Sequence, residues 1–452
     1  MMMRSLIVAG AAMSMTTTVF AQWDPNNGDW GKTDERDLRV MTWNVQDGVC
    51  SSNDKTNIFA SDWNAIVHTI AAMRPDVLIM QECGDNSGNG TGSGLDAQGT
   101  LENVCELMMH GGTDPYLGGT ITSYVQMFTG AGYDLPYIYV AENNDGFNRN
   151  VIMSRYEFAD LNTGGDRLSN YVLQPDAYQS GGSSGIRGFQ FAEIDLPDEM
   201  YAGDLVVGNC HLKAGGSSSD FDQRELAARN AAYFMDYYYN GAGTGVSDPN
   251  SKVVLPTVGE VLDDATPIIW GGDFNQTPGG FGPAQWMTRA EFTGGTDGTD
   301  RDRTDSTYDG AFHPISFEIS TQGSNSKLDY VCWQDSIATA RRQFIFRSTG
   351  TNVTTSTLPE PVRSYPGNPV AVSSFASDHR PVVVDFILPE PAADPCPSPP
   401  DFVDDNSLDF FDLSAFLTLL SEGDMEADLN GDMSLDFFDV SAFLQLLSEG
   451  CP

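Results

Sequence analysis

The sequence is poor in positive charge: its 452 residues hold 23 Lys and Arg against 63 Asp and Glu, giving a formal net charge of −40. A protein that coats DNA through a broad basic face is therefore excluded, whereas local contact with phosphate through a metal ion is not. Histidine is also scarce, with five residues. Because 40% of the residues are hydrophobic and 11% are aromatic, wholesale disorder is excluded as well.

The sequence has no apolar run that reaches the roughly 20 residues a membrane-spanning helix needs. At the N-terminus, Arg4 precedes the short apolar stretch Leu6–Met13, and Ala21 ends a Val-Phe-Ala sequence. This order predicts a secretory signal peptide over residues 1–21 rather than an uncleaved membrane anchor. We therefore expect a secreted, extracellular protein without a transmembrane segment.

None of the seven cysteines stands in a CxxC pair, so a zinc site is not expected. An exported protein can form disulfides, although an odd number leaves at least one thiol unpaired. We expect a bridge between Cys396 and Cys451, which bracket the C-terminal segment. A further pair is expected among Cys50, Cys83 and Cys105.

Short apolar runs separated by loops begin at residue 38. Runs of 4–8 residues rich in Val, Ile and Phe predict buried strands: Leu38–Val45, Asp76–Gln81, Val151–Ser154, Phe189–Ile194, Leu205–Asn209, Pro267–Trp270, Leu328–Cys332 and Pro381–Ile387. Three segments between them have helical character: Trp63–Met73, Leu101–Met109 and Phe221–Tyr239. Strands interleaved with helices predict an α/β or α+β domain.

The composition changes twice along the chain. Residues 22–37 form a polar lead-in segment, residues 38–388 the large domain, and residues 389–400 a proline-rich linker. Residues 401–452 form a small acidic domain, whose part from 401 to 450 holds 13 acidic residues and no Lys or Arg. We therefore predict two domains of different character.

The acidic domain contains a sequence repeat with a spacing of 27 residues. A calcium loop needs oxygen ligands at positions 1, 3, 5, 9 and 12. The first copy supplies Asp401, Asp405, Asp409 and Asp412, with Val403 at position 3, and the second supplies Asp428, Asn430, Asp432, Asp436 and Asp439. A disordered acidic tail would not repeat the FFD-[LV]-SAFL sequence that follows each loop.

This repeat resembles the dockerin family. The resemblance implies two Ca²⁺ loops, each followed by one helix (Leu413–Leu420 and Val440–Leu447), and a cohesin-like or cell-surface partner. Position 6 departs from the usual glycine, being Asn406 in one copy and Met433 in the other.

Chemically active residues stand where predicted strands meet loops. Asn44 follows the first strand and Glu82 the second, Asp273 and Asn275 follow another, and the Ser-Asp-His-Arg sequence 377–380 precedes the last. Such positions are the usual place for ligand groups in layered α/β folds.

These motifs occur in one order: RVMTWNVQDG, RPDVLIMQEC, VGNCHLKAG, IIWGGDFNQTP, KLDYVC and ASDHRPVVVDF. Together they resemble the endonuclease/exonuclease/phosphatase family of metal-dependent phosphoesterases, which includes pancreatic-type deoxyribonuclease. The implied fold is an α/β (α+β) four-layer sandwich of two facing, mainly antiparallel sheets flanked by helices, with the site at one edge.

The resemblance also implies roles for individual residues. Glu82, Asn44 and Asp378 are the implied Mg²⁺ or Mn²⁺ ligands, with hard oxygens suited to that ion. His379 pairs with the acid Asp329, and His211 donates to the phosphate or the leaving oxygen. Asp273 orients or deprotonates water, and Asn275 hydrogen-bonds a phosphoryl oxygen.

Three further residues are weaker candidates. Glu142 stands where the deoxyribonuclease branch carries the acid that supports the second histidine, and Arg187 or Arg149 would contact phosphate. His68 and His110 fall on predicted helices, so packing or surface roles are favoured, and Asp385 is interpreted as an ordinary strand acid. The run Tyr237–Tyr239 is interpreted as packing rather than as a substrate site.

The family divides by substrate, and metal and histidines do not discriminate among DNA, RNA, sphingomyelin and small phosphodiesters. Our leading hypothesis is a Mg²⁺-dependent nuclease acting on extracellular DNA. The second is a sphingomyelinase-type phospholipase C, which should carry a protruding apolar hairpin. The third, of another class, is a calcium-dependent binding or scaffold-attached protein without catalysis.

Overall fold

The chain divides into two compact units, residues 1–389 and residues 390–452. The computed structural model describes residues 23–49, 62–84, 96–114, 118–144, 148–159, 167–170, 186–235, 262, 265–276, 307–323, 326–391, 401–403 and 408–449. Several features predicted from the sequence lie outside these residues: the signal peptide, Cys50, Cys396, Cys451, Asp405, Asn406 and Tyr237–Tyr239.

The larger unit is built on two β-sheets. Its described strands are β1 (Leu38–Asn44), β2 (Val77–Cys83), β3 (Gly112–Thr113), β4 (Thr120–Ile121), β5 (Tyr137–Val140), β6 (Arg149–Ser154), β7 (Phe158–Ala159), β8 (Arg167–Asn170), β9 (Ile186–Ile194), β10 (Leu205–Leu212), β11 (Ile268–Asp273), β12 (Thr307–Tyr308), β13 (Asp329–Trp333), β14 (Thr339–Ile345) and β15 (Val382–Ile387). One sheet has the order β14-β15-β1-β2-β6-β5, and the other β12-β13-β11-β10-β9-β7 with β8 paired to β9. Strands β3 and β4 form a separate small ladder.

Among the described pairs, only β1–β2 and β10–β11 are parallel. Connections between such pairs need a crossover, and α1 (Asp62–Met73) and α4 (Ser218–Met235) lie between their strands. The other described helices of this unit are α2 (Gln98–Met109), α3 (Tyr124–Thr129) and α5 (Val372–Ala376). Single-turn 3₁₀ helices cover Pro25–Asn27, Thr355–Thr357, Val362–Ser364 and Pro369–Ala371.

The period-2 alternation of side chains divides each strand between two cores. On β1, Val40 packs between the sheets, whereas Met41 and Trp43 pack on the helical side with α1. On β9, Phe189 and Phe191 meet Phe234 of α4 on the outer face of the other sheet. The predicted pair of facing, mainly antiparallel sheets flanked by helices is therefore confirmed.

The sheets approach closely below the edge that carries the candidate site. A Cβ on Gly271 of β11 would stand 2.8 Å from Ile79 and 2.9 Å from Thr42 of the facing sheet. Only glycine leaves room for that contact. The separation of the two sheets at this level thus depends on a residue without a side chain.

Two elements differ from the sequence-based expectation. The edge strand β14 was not predicted, because Arg341 and Arg342 interrupt its apolar run. Residues 23–37 are more than a polar lead-in, since Trp30 is buried and donates its indole N–H to the carbonyl of Thr357. An aromatic anchor within a polar stretch carries no periodic signal.

The described residues contain no disulfide. Cys83 and Cys105 are buried and are not bonded to each other. Of the disulfides expected among Cys50, Cys83 and Cys105, the Cys83–Cys105 bridge is therefore wrong. Cys210 and Cys332 are buried thiols whose pKa burial raises well above the usual range. The Cys396–Cys451 bridge stays a prediction.

The smaller unit consists of α6 (Phe410–Glu422), a 3₁₀ turn (Met425–Ala427) and α7 (Phe437–Glu449). Its core centres on Phe416 and Phe443, whose rings stack 4.8 Å apart. These two residues occupy equivalent positions of the repeat, so the duplication in the sequence becomes a symmetric contact. No helix among the described residues of either unit has the length and apolar character needed to span a bilayer.

Candidate active site

Predicted site residues gather where strands of the two sheets end or begin. The parallel pairs β1–β2 and β10–β11 bring their carboxyl ends to one edge, and the antiparallel strands β13 and β15 begin there. The residues at this edge are Asn44, Glu82, His211, Asp273, Asp329 and His379.

His379 is held by the buried carboxylate of Asp329, whose two oxygens lie 3.0 and 2.8 Å from its Nδ1. Burial disfavours the charged ring, but the hydrogen bond and charge of Asp329, with Asp273 and Asp378 nearby, raise the pKa of His379 to about 10. The ring is therefore an imidazolium at neutral pH. Asp329 fixes which nitrogen faces the protein and leaves Nε2 for the reaction side.

Asp273 connects the two histidines. Its Oδ2 lies 3.5 Å from Nε2 of His211 and 3.9 Å from Nε2 of His379, and it accepts a 3.1 Å hydrogen bond from the Asn44 amide. Burial and the neighbouring charge of Asp329 raise the pKa of Asp273 to about 7, although the His379 charge opposes this. This carboxylate can therefore exchange a proton near neutral pH.

His211 is an acceptor in this arrangement. The guanidinium of Arg187 places Nη1 2.8 Å from Nε2 of His211, and an arginine N–H can only donate. Burial first, and then the positive charges of Arg187 and His379, lower the pKa of His211 well below its usual range. His211 is thus neutral with its proton on Nδ1, which differs from the donor role that the family resemblance implied.

Glu82 closes the cluster on the solvent side. Its Oε1 lies 3.5 Å from Nε2 of His211 and 3.6 Å from Nη1 of Arg187. Burial raises the pKa of Glu82, so its charge lacks full compensation in this structure. Among the residues that the structure describes, two groups have the spacing to hold a cation, Glu82–His211–Asp273 and Asp273–Asp329–His379, and they share Asp273.

The first of these groups fits a divalent cation by its donor set. Two carboxylates whose pKa values are raised, together with one neutral imidazole nitrogen, form a site that gains from added positive charge. Carboxylate oxygens suit Mg²⁺ or Mn²⁺, and the imidazole favours Mn²⁺ somewhat. The second group fits less well, because His379 is protonated.

Three predicted residues take supporting positions. Asn44 accepts the backbone N–H of Gln46 and donates to Asp273. Asn275 donates its side-chain amide to the carbonyl of Leu212, 2.9 Å away, and its backbone N–H to Asp273. Asp378 belongs to neither described cation cluster; its Oδ1 lies 4.0 Å from Nε2 of His379 on the exposed side.

Glu142 and Arg149 do not join the cluster. Glu142 is exposed and belongs to neither cation group found among the described residues. Arg149 is buried and donates to the carbonyls of Ala141, Glu142 and Asp96, so its guanidinium fastens this loop. Of the two arginine candidates, Arg187 is the one that lies at the site.

The backbone at this edge is strained. Gln46, Asp47, Glu82 and Asn275 have φ values of 46°, 61°, 52° and 49°, in the region that favours glycine. The register of β2 with β6 shifts between Met80 and Cys83, so Glu82 lies in an irregularity of the strand. Strain of this kind is characteristic of functional sites, where the surrounding fold pays for a required side-chain direction.

Sequence reasoning missed several residues that support the cluster. The Ser377 hydroxyl donates to the carbonyl of Asn44 and accepts the N–H of His379, which ties β1 to the start of β15. The Thr321 hydroxyl accepts the N–H of Asp329, and Gln322 donates to Asp378. Ser377 lies within a noted motif, whereas Thr321 and Gln322 had no recognisable signal.

The other histidines have separate surroundings. His68 is buried on α1 and its Nδ1 lies 2.8 Å from the carbonyl of Asn64. His110 contacts Glu106 and Asp134, and His313 packs against Trp30. All three lie outside the two described cation clusters.

In the smaller unit, acidic side chains organise the second loop of the repeat. Asp428 accepts the backbone N–H groups of Gly431, Asp432 and Met433, and Asp439 accepts those of Asn430 and Asp436. Met433 adopts the left-handed conformation, with φ 64°, at the position usually held by glycine. In the first loop, Asp412 accepts the N–H groups of Val403 and Asp409.

No protein-family model and no curated protein matches this sequence. Among solved structures, an endonuclease/exonuclease/phosphatase from Beutenbergia cavernae is 19% identical, with 78% of this chain and 72% of that chain covered and a TM-score of 0.39. The human nocturnin catalytic domain is 12% identical (78% and 95% covered, TM-score 0.38). Sphingomyelinase C from Streptomyces griseocarneus is 13% identical (77% and 99% covered, TM-score 0.39).

Proposed function

We propose that this protein is a secreted, divalent-metal-dependent phosphodiesterase and that its substrate is DNA. The observation that carries the proposal is the array Asp329–His379–Asp273–His211, with Glu82 and Arg187 beside it. It combines a charged imidazole, a carboxylate that titrates near neutral pH and a cation-binding group within a few ångströms.

The side chains divide the work of phosphodiester hydrolysis. Asp273, whose Oδ2 lies 3.5 Å from Nε2 of His211 and 3.9 Å from Nε2 of His379, orients water and takes its proton. The His379 imidazolium, held by Asp329, stabilises negative charge that develops on the phosphoryl oxygens. Arg187, whose Nη1 lies 2.8 Å from Nε2 of His211, is positioned to donate to a phosphoryl oxygen once substrate enters.

Glu82, Asp273 and His211 would hold the divalent cation. A bound cation supplies Lewis acidity toward a phosphoryl oxygen. Arg187 would then be available to contact the substrate rather than His211 and Glu82, because a cation would compensate the Glu82 charge. The contact between Arg187 and His211 is therefore expected to loosen in the loaded enzyme.

The direct test incubates the purified full chain and Mg²⁺ or Mn²⁺ with plasmid DNA and, separately, with sphingomyelin vesicles. We expect nicking of the plasmid that is abolished in His379→Ala. Release of phosphocholine without DNA nicking would replace the proposed substrate with a phospholipid. A protein with neither activity would contradict the phosphodiesterase proposal.

We further propose that residues 1–21 are removed on export and that the C-terminal unit is a dockerin-like Ca²⁺ module. The proposal for the module rests on the repeat and on the loop organised by Asp428 and Asp439. Calcium should raise the melting temperature of the C-terminal transition of the full chain, and Asp428→Ala should remove that rise. A mature N-terminus other than Gln22 would contradict the predicted cleavage.

A further inference from the structure

An exposed apolar cluster lies on the loop that precedes β13. Phe317, Ile319 and Phe312 have relative solvent accessibilities of 72%, 52% and 42%. The Phe312 and Phe317 rings stack with centroids 6.0 Å apart and an interplanar angle of 25°. We refer to Phe312 and Phe317 as the aromatic pair. Exposed aromatic surface of this size is costly in water, so it calls for a partner outside the fold.

The backbone at Phe317 adds a second cost. Its φ is 61°, a conformation that is uncommon for residues other than glycine and unfavourable for a bulky ring. Burial of the Phe317 ring contributes little stabilising free energy to offset this strain, since most of the residue is exposed to solvent. Because strain and exposure coincide at one residue, the position of this ring is the feature that requires explanation.

The loop is held firmly by polar contacts below the rings. The N–H of Phe317 donates to the carbonyl of His313, and the N–H of His313 to the carbonyl of Glu318, both at 2.8 Å. Ser316 donates its N–H to Nδ1 of His313, and Glu318 forms an ion pair with Arg347. The aromatic pair is therefore presented by a fixed loop.

The same loop leads directly to the candidate active site. Thr321 accepts the backbone N–H of Arg380, and Gln322 bridges to His379 and donates its side-chain amide to Asp378 at 3.3 Å. Gln322 follows Phe317 by five positions, so their Cα atoms are at most about 17 Å apart. A nucleic-acid strand that binds at His379 can span this distance with a few nucleotides.

The sequence is poor in positive charge, and the described cations that follow site residues are engaged within the protein. Arg380, next to His379, donates to the carbonyls of Ser377 and His379, and Lys213, two residues after His211, pairs with Asp220. A strand that binds here must gain its affinity from something other than phosphate neutralisation. Stacking of bases on aromatic rings provides such affinity and tolerates any sequence.

Building on the proposed function, we propose that the aromatic pair is a stacking platform for a base of single-stranded nucleic acid whose phosphodiester lies at His379. A lipid surface fits less well, because Glu318 stands between Phe317 and Ile319, is 41% exposed in its side chain and would enter the membrane with them. The platform thus assigns substrate recognition to a segment outside the catalytic motifs.

Binding should be measured by fluorescence anisotropy with the full chain carrying His379→Ala, which prevents cleavage, and a short labelled single-stranded oligonucleotide. Adding Phe317→Ala should raise Kd about tenfold, and Phe317→Trp should preserve or lower it. Phe410→Ala, which removes an equally exposed ring (73%) from the other unit, should leave Kd unchanged. An abasic oligonucleotide of the same length should bind the protein with intact Phe317 as weakly as Phe317→Ala binds the normal strand.

Salt dependence provides a second readout. A strand that binds by stacking and by at most about two phosphate contacts should give a slope of log K against log salt concentration no steeper than about −1.5. A steeper slope together with an unchanged Kd in Phe317→Ala would overturn the platform. Binding of the protein to sphingomyelin vesicles that is lost in Phe317→Ala, with no change for DNA, would reassign the cluster to a lipid surface and overturn it as well.

The platform and the enzyme activity can fail separately. Hydrolysis of methyl p-nitrophenyl phosphate, which presents no base, should be equal in wild type and Phe317→Ala. If wild type hydrolyses this ester but Phe317→Ala binds DNA normally, the platform fails and the proposed function stands. If wild type hydrolyses neither the ester nor DNA, the proposed function fails. Phe317→Gly should raise the melting temperature by about 1–2 °C while weakening binding, because it relieves the backbone strain.

Discussion

The two ends of the paired sheets differ in how their buried charges are compensated. At the end away from the site, Arg39 donates to both oxygens of Asp385, and Asp76 accepts from Lys32 and Arg155. At the site end, Glu82 and Asp273 have raised pKa values, because the nearby positive charges do not fully offset their burial. Paired buried charges are compatible with a stable fold without a ligand. An excess of negative charge creates a site that a bound cation stabilises.

The comparison first predicts that substitutions at the site end lower kcat. His379→Ala should lower kcat by about 10⁴-fold, roughly 5 kcal/mol, because the charged group facing the phosphate is lost. The measurement is steady-state hydrolysis of plasmid DNA by protein whose folded state is verified by circular dichroism. His68→Gln, which alters a histidine outside the site, should retain turnover; equal losses in both variants would contradict the assignment.

The opposite end should govern stability instead. Arg39→Met leaves Asp385 buried without its partner and should lower the free energy of unfolding by about 4 kcal/mol. Denaturant unfolding measures this change, and kcat per folded molecule should not change. The double variant Arg39→Met/Asp385→Leu should recover part of the loss. A single variant as stable as wild type would show that this pair contributes nothing.

Two buried histidines sharpen the contrast through pH. Burial and the charge of Arg347 lower the pKa of His313 to about 4, whereas acids raise that of His379 to about 10. Between pH 6.5 and about 4, His313 is protonated in the unfolded chain but stays neutral in the folded chain. His313 therefore removes up to about 3 kcal/mol of stability as pH falls through that window.

The check compares melting temperatures of wild type and His313→Gln across the window. The wild type should lose stability relative to the variant as the solution is acidified. A difference that stays constant from pH 7 to pH 4 would mean that the two states of His313 titrate alike.

The smallest predicted effect concerns the metal. Saturating Mn²⁺ should raise the free energy of unfolding of the full chain by about 2–3 kcal/mol, because only the folded chain assembles Glu82, Asp273 and His211. Glu82→Gln should abolish most of this gain. Asp76→Asn, which changes a carboxylate of the opposite end, should keep it. Calorimetry measures all three without reference to activity.

The predicted elements were correct where a local pattern decides structure. The strand around Met41 and the strand around Val207 are continuous apolar runs, and both are buried strands. β14 was missed, since Arg341 and Arg342 interrupt the apolar run of this strand, which lies at one end of the strand order of its sheet. Periodicity reports the burial of one segment at a time, and therefore fails at sheet edges.

For the site, the motifs brought the right residues into view but not their contacts. Asn44, Glu82 and Asp273 were singled out as strand-end ligands, and they do lie at one edge. Glu142 was included on a loose alignment; it is exposed and belongs to neither cation group found among the described residues. The difference is that strand ends are fixed by sheet register, whereas a loop residue can face any direction.

The sequence alone determined that the chain has acidic charge in excess, short buried strands, a duplicated C-terminal segment and six motifs in order. Only the tertiary structure decided that Arg187 donates to His211 and that Phe317 stands strained in solvent beside the site. The physical reason is one of distance. Composition and periodicity are properties of neighbouring residues, whereas hydrogen bonds, pKa shifts and backbone strain depend on groups that meet only once remote strands have paired.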